Sequence, residues 1–355
     1  MKVLVTGGAG YIGAVLCERL LEAGHDVRVL DRLYWGSKPI AHLLERIELV
    51  HADVRDFDER ALEGIDGVVH LAGLSNDPTA EYNPAANWEM NAVATEALAA
   101  ARQRRGVGRL TLGSSASIYD GLGDGLFDET TKVAPRGAYS RSKFEAEQHL
   151  MRAADSRFAP VILRQGTVYG YSPRMRLDLV VNTFIKDALL RERLFLHGGG
   201  WMWRPLVDVT DVAEAHLRCL EAPAGSVGGQ IFNVVHENHQ IRQLAMLVAG
   251  SLSLHHRHVR LENAPVPSIN RNYRCANRKL HDAIGFTPRV TVLESIERIL
   301  SFLPIDDPID LAHPRYYNIA WMTMIDEVIG THGAFADVWS ARKRDAVSPS
   351  AARHM

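Results

Sequence analysis

Apolar and polar positions along the first half of the chain fall into short aliphatic runs over residues 3–6, 27–31, 47–51, 67–72, 109–113 and 160–164. Between several of these runs, over 12–22, 85–103 and 139–154, apolar residues recur three and four apart, the period of a helix with one buried face. Strand and helix alternate, which predicts parallel βαβ units and an α/β, doubly wound parallel sheet. After Arg164 the alternation breaks. Pro, Gly and Arg crowd "YGYSPRMRLD", and helices over 179–190 and 212–219 interrupt short strands. A smaller, mixed C-terminal lobe is expected over the strand ends, where an open parallel sheet binds its ligand. The pattern divides the chain into residues 1–165, residues 166–303 with elements near 205–235 returning to the sheet, and an extension over 304–355. The last stretch, "KRDAVSPSAARHM", reads as disordered.

Composition narrows the function classes. With 355 residues, 46% hydrophobic and 23% charged, the chain can bury a large core. Its 40 basic and 42 acidic residues give a net charge of -2, so nothing in bulk electrostatics calls for nucleic acid or an anionic membrane as partner. Cys17, Cys219 and Cys275 are widely separated and in no metal-ligand spacing, which suits buried thiols in a reducing compartment. No apolar run approaches membrane-spanning length and "MKVLVTGGAG" has no leader pattern, so a cytoplasmic protein is expected. "HHRH", His255 to His258, is not read as a metal site: neighbouring residues of an extended segment point to opposite faces, and no carboxylate cluster accompanies them.

The candidate chemistry begins at "VTGGAGYIG". Gly7, Gly10 and Gly13 stand at the junction of the first strand and helix, where glycine permits a tight turn and close approach to a pyrophosphate at the helix N-terminus. A glycine-rich turn alone is weak evidence. Its context strengthens it, because the second strand ends in Asp31, whose carboxylate can accept from both ribose hydroxyls and would repel a ribose phosphate. This favours NAD over NADP. Arg32 is the complication, since a guanidinium there could meet a 2'-phosphate; a solvated loop charge is its other reading. Asp53, after the third strand, is a candidate for adenine contact, and Ala72 and Gly73 in "HLAG" would keep the rim open.

Tyr139 and Lys143 in "AYSRSK" are four apart and share a helix face. A nearby ammonium and a nicotinium ring both favour the phenolate, so Tyr139 is expected to titrate nearer neutral pH, with Lys143 also bonding the nicotinamide ribose. Ser115, in "GSSASIY" at the end of the fifth strand, is placed to hold the substrate oxygen, while Ser114 reads as structural.

Over residues 1 to 300 the chain resembles the extended short-chain dehydrogenases/reductases, specifically the NAD-dependent nucleotide-sugar epimerase and dehydratase family. The matching pieces include "TGGAGYIG", "ADVRD", "HLAG", Asn91 in "NAVAT", "SSASIY", "YSRSK", "VILRQGTVYGYSPR" and "RPLVDVTDVAEAH". The resemblance implies a Rossmann-type fold, NAD as cofactor, a nucleotide-diphosphate sugar as substrate and a homodimer pairing the helices over 85–103 and 139–154. It makes Ser115, Tyr139 and Lys143 the catalytic trio, with Asn91 structural beneath them. Cofactor contacts would come from Gly7, Gly10, Tyr11, Ile12, Gly13, Asp31, Asp53, Val54, Leu71, Ala72 and Gly73, and substrate contacts from Ser75, Ser117, Gln165, Arg174, Arg176, Asn182 and Arg204. Arginine matches a diphosphate bidentately, and Arg204 is the candidate for that anion. Arg174 and Arg176 read equally as loop charges. Asp208 and Asp211 read as helix caps, and Trp201 and Trp203 as packing residues.

In 4,6-dehydratases of this family the catalytic hydroxyl residue is followed by two acids that serve water loss, and the related decarboxylases keep the second as glutamate. Here Ala116 and Ser117 occupy those places, as small residues do in galactose-type epimerases. A serine cannot serve as a general acid/base near neutral pH. The expected activity is therefore NAD-dependent epimerisation, at the 4-position, through a keto sugar; a 4-ketoreductase is the alternative, with a 4,6-dehydratase or a non-catalytic NAD-binding regulator behind it.

Overall fold

The computed structural model describes residues 1–265, 271–303 and 308–332. The frayed tail expected after residue 342 lies outside these. Seven strands form the main sheet: β1 (Lys2–Thr6), β2 (Asp26–Asp31), β3 (Ile47–His51), β4 (Gly67–His70), β5 (Arg109–Ser115), β6 (Val161–Gln165) and β7 (Gln230–Val234). Their order is β7-β6-β5-β4-β1-β2-β3, and every pairing is parallel. This is the Rossmann-type arrangement, with its change of direction between β1 and β4.

Strand alternation decides the two layers. Val3, Val5, Val27 and Val29 face one side, where the helices Tyr11–Glu22 and Val209–Glu221 cover them. Leu4, Leu30, Leu110 and Leu112 face the other, against the helices Ala94–Arg105 and Ala138–Arg152. Each of these fully buried aliphatic side chains contributes roughly 1.5–3 kcal/mol to folding.

The period over 85–103 predicts one helix, whereas the chain forms Pro84–Trp88, a wide turn at Glu89–Val93 and then Ala94–Arg105. The wide turn carries Asn91, whose amide donates to Leu74 O, Asn87 Oδ1 and Ser142 Oγ at 2.8–3.0 Å. Local geometry of this kind frequently marks functional sites. The seventh strand arrives from beyond the region of regular alternation, within the 205–235 stretch expected to return to the sheet.

The second lobe has its own core of Leu177, Val181, Ile185, Leu206, Leu244, Val248, Ile296 and Ile299. It includes a mixed sheet in which Trp203–Asp208 pairs in parallel with Thr167–Tyr169 and antiparallel with Glu237–Gln240. Asp208 caps the helix Val209–Glu221 by accepting from Thr210 N at 2.8 Å. Asp211 does a different job from the expected cap: its carboxylate accepts from Arg289 N and Val290 N, both at 2.8 Å, and ties down a distant loop.

Candidate active site

At the end of β1 the backbone turns through Gly7 with φ +75, the left-handed region that favours glycine, and a Cβ there would sit 2.7 Å from Ala72 N. A Cβ on Gly13 would collide with the Gly7 carbonyl. The helix Tyr11–Glu22 that follows has Gly10 as its N-cap and no side-chain cap, so its first N–H groups are left for a ligand. Asp31, at the end of β2, accepts from Leu33 N at 2.7 Å and Ala9 N at 2.9 Å, which holds its carboxylate at the rim. Burial raises its pKa and those two N–H groups lower it; the net direction is upward. The glycine cradle, bare helix start and fixed carboxylate fit an NAD whose pyrophosphate meets the helix and whose ribose meets Asp31.

Two adjoining hollows share Gly7, Gly10, Trp35, Leu71 and Gly73. The first lies over Asp31, Asp53, Val54 and Ala72. Asp53 is gripped by Arg55, with Nη2 at 2.6 Å, and by Arg32, with Nη1 at 2.9 Å. Burial opposes ionisation of Asp53, but the two arginines outweigh it and hold its carboxyl below the usual range. Arg32, the residue a 2'-phosphate would need, is thus engaged with Asp53.

Ser115 and Tyr139 of the Ser-Tyr-Lys group line the second hollow, whereas Lys143 is buried outside the lining. Strand β5 delivers Ser115, whose Oγ accepts from Ser117 N at 3.2 Å, and the start of the helix Ala138–Arg152 delivers Tyr139. The nearby Ser115 side chain favours the ionised form of the Tyr139 phenol. Lys143, one turn on, donates to Gly113 O at 3.0 Å. Burial pushes Tyr139 above its ordinary pKa, against the lowering influence of Ser115, Arg176 and the Asn76 backbone. The downward shift expected from Lys143 and a nicotinium ring together is not carried by Lys143, which has no part in this balance. Burial of that amine depresses its own pKa to about 8, with Glu147 opposing, and one of its three donors goes to a backbone carbonyl.

Ser75, Ser117, Gln165, Arg174 and Arg176 all line this hollow, together with Tyr11 and Ile12. Gln165 is placed by the β5–β6 register, opposite Ser115, and its side chain bonds the buried His216 at 3.0 Å. Arg176 donates to Ser75 Oγ at 2.8 Å and to both oxygens of Asp178 at 2.9 and 3.0 Å. Two candidates sit elsewhere. Asn182 is wholly buried, bonding Arg176 O at 2.8 Å and the Tyr11 hydroxyl at 3.2 Å, so it braces the wall from behind. Arg204 is outside the lining and directs its Nη1 at Trp203 O and Arg271 O. Trp201 and Trp203 are also outside it, each facing an arginine, Arg242 and Arg274.

Trp35, Arg271, Tyr273 and Asn318 line the hollow without having been found in the sequence. Trp35 follows the β2 carboxylate closely, which is a usable signal; Asn318 lies beyond every recognised motif. Among the described residues, no group of three His, Cys, Asp or Glu side chains could hold a metal, and no helix is long and apolar enough to cross a membrane.

The profile described as "NAD dependent epimerase/dehydratase family" matches residues 3–234. The chain belongs to this family. It is 31% identical over 237 residues to the UDP-glucose 4-epimerase of Corynebacterium glutamicum, covering 62% of this chain and 71% of that one. A UDP-glucuronic acid decarboxylase of Danio rerio is 26% identical over 310 residues, covering 85% and 72%. Among solved structures, MoeE5 in complex with UDP-glucuronic acid and NAD superposes with a TM-score of 0.74 at 25% identity, covering 85% of this chain and 100% of that one. The epimerase/dehydratase family is NAD-dependent, and it acts on nucleotide sugars by epimerisation, decarboxylation and dehydration alike.

Proposed function

We propose that this member of the family is an epimerase that inverts the 4-position of a nucleotide-activated sugar through a keto-sugar intermediate. The observation that carries the reading is the lining of the catalytic hollow. It holds Ser115, Tyr139, Ser117 and Gln165, and no Asp or Glu among the described residues. Elimination of water needs a carboxyl-type acid/base beside the sugar, whereas inversion needs one base and a hydride acceptor.

NAD, when bound, supplies a reversible hydride acceptor. Ser115 holds the reacting sugar oxygen beside the phenol. As phenolate, Tyr139 takes the hydroxyl proton while the C–H electron pair departs as hydride, leaving a carbonyl. After the keto sugar turns over, Tyr139 returns the proton to the oxygen as hydride comes back to the opposite face. The positive charge of Arg176 favours the phenolate, and the buried surroundings exclude water.

A panel of UDP-, GDP- and dTDP-linked sugars, followed through the anomeric NMR signals, tests this. Interconversion of a C4 epimer pair without added reduced cofactor is expected. No stereochemical change with any sugar, alongside consumption of NADH or NADPH with a keto sugar, would favour the reductase.

A further inference from the structure

Two arginines on the loop after Gly170 differ in their partners. Arg176 is ion-paired with Asp178 at 2.9 Å. Among the described residues Arg174 has no carboxylate within ion-pair distance, although it is only 5% exposed. Its Nη2 donates to Asn318 Oδ1 at 2.7 Å, and its guanidinium carbon lies 4.4 Å from the centre of the Trp35 ring. Its Nη1 is buried without a partner, and so is Trp35 Nε1. A buried cation with an open donor is strongly unfavourable unless an anion completes it. Burial and the neighbouring Arg176 accordingly depress the Arg174 pKa to about 9.

Arg174 and Trp35 line the same hollow as Gly10, Tyr11 and Ile12 at the uncapped helix start. The loop is fixed there, since Arg174 N donates to Ser172 Oγ at 3.2 Å and Ser172 Oγ donates to Tyr11 O at 2.7 Å. Trp35 belongs to both hollows, so the open donors stand where the two halves of a dinucleotide would join.

We propose that Arg174 is the second jaw of a clamp on the pyrophosphate of the dinucleotide, facing the helix N-terminus, with Asn318 as its positioning residue. Asn318 comes from a segment beyond the family match, which ends at residue 234. The same segment secures the Trp35 loop: Trp321 Nε1 donates to Tyr34 O at 2.8 Å, and Met322 is buried with Leu74 and Met90. The clamp rests on the NAD dependence of the family and not on which sugar reaction is catalysed.

Calorimetry on nucleotide-free protein tests it with three probes: ADP-ribose, which keeps the pyrophosphate without nicotinamide; AMP, which lacks the pyrophosphate; and UDP, the diphosphate of a sugar nucleotide. Arg174→Met should weaken ADP-ribose by about tenfold or more and leave AMP and UDP within about twofold. Asn318→Ala should weaken ADP-ribose by roughly threefold or more. Asn318→Asp keeps an acceptor for Arg174 but neutralises it, and should weaken ADP-ribose further than alanine does, which a merely structural role does not predict. Unchanged ADP-ribose binding by Arg174→Met, or a loss confined to UDP, overturns the clamp. Should Arg174→Met fail to fold, Asn318→Asp decides: wild-type affinity for ADP-ribose rejects it. A failed epimerase assay leaves these results untouched.

Discussion

Lys143 Nζ donates a 3.0 Å hydrogen bond to the carbonyl of Gly113, tying the catalytic helix to the strand that ends in Ser115. The contact sets the spacing between the lysine, the tyrosine and the serine. In the proposed mechanism Tyr139 moves the proton, Ser115 holds the oxygen, and Lys143 positions. Tyr139→Phe should therefore lower kcat by about 10²–10⁴-fold while leaving NAD affinity within about twofold. Lys143→Met should instead weaken NAD binding as well as turnover. Steady-state kinetics combined with cofactor titration distinguishes the two patterns.

Behind this group, Glu147 and Arg164 form a buried ion pair at 2.7 Å, with side-chain exposures of 0% and 3%. Glu147 also accepts from Ser114 Oγ at 2.6 Å, so the pair braces the strand end beside Ser115. Glu147→Ala leaves the guanidinium buried and uncompensated, and should destabilise the fold by about 3–5 kcal/mol. Urea denaturation checks this. The double replacement Glu147→Leu with Arg164→Met should cost less than the single one.

Acid should weaken the fold through two histidines. Burial depresses His70 to about 3, with the Lys143 charge adding to the effect, and burial alone depresses His216 to about 3. From pH 6.5 down to 3 the unfolded chain binds protons at these positions that the folded chain does not, so stability is full above 6.5 and falls as pH falls. The slope is about 1.4 kcal/mol per pH unit for each fully differing proton. Urea midpoints between pH 7 and pH 5 should follow this, and His216→Gln should make the dependence shallower.

We propose that the expected homodimer pairs through an exposed apolar surface. Trp88 and Val93 are 44% and 46% exposed, and Pro84, Trp88, Pro135 and Phe144 border one concavity next to the catalytic helix. The mass in solution should be twice the chain's 39.4 kDa by light scattering. Trp88→Glu should shift it towards the monomer.

The sheet and its helices were legible because a parallel strand buried on both faces reads as a continuous apolar run and each covering helix carries an apolar period of three and four. Ser115, Tyr139 and Lys143 were legible because fixed spacings place them on a strand end and a single helix face. The wide turn at Glu89–Val93 was hidden, since the apolar period runs through it unbroken. Arg204 looked like an anion ligand because its residue type fits one, but the backbone carbonyls of Trp203 and Arg271 take its guanidinium. Asn318 had no signal: its position beside Arg174 depends on how a distant segment crosses the hollow, which no local pattern encodes. The upward push of burial on Tyr139 had no signal in the sequence, because burial is a property of the assembled site.

Reversible inversion at one carbon requires a hydride that leaves and returns. Incubating the enzyme with a nucleotide sugar carrying deuterium at C4, then reading the product by NMR, tests it most directly. A mixture of the two C4 epimers is expected, with deuterium retained at C4 and no net consumption of cofactor. One-way conversion with stoichiometric use of reduced cofactor, or a 4-keto-6-deoxy product formed with loss of water, would contradict it.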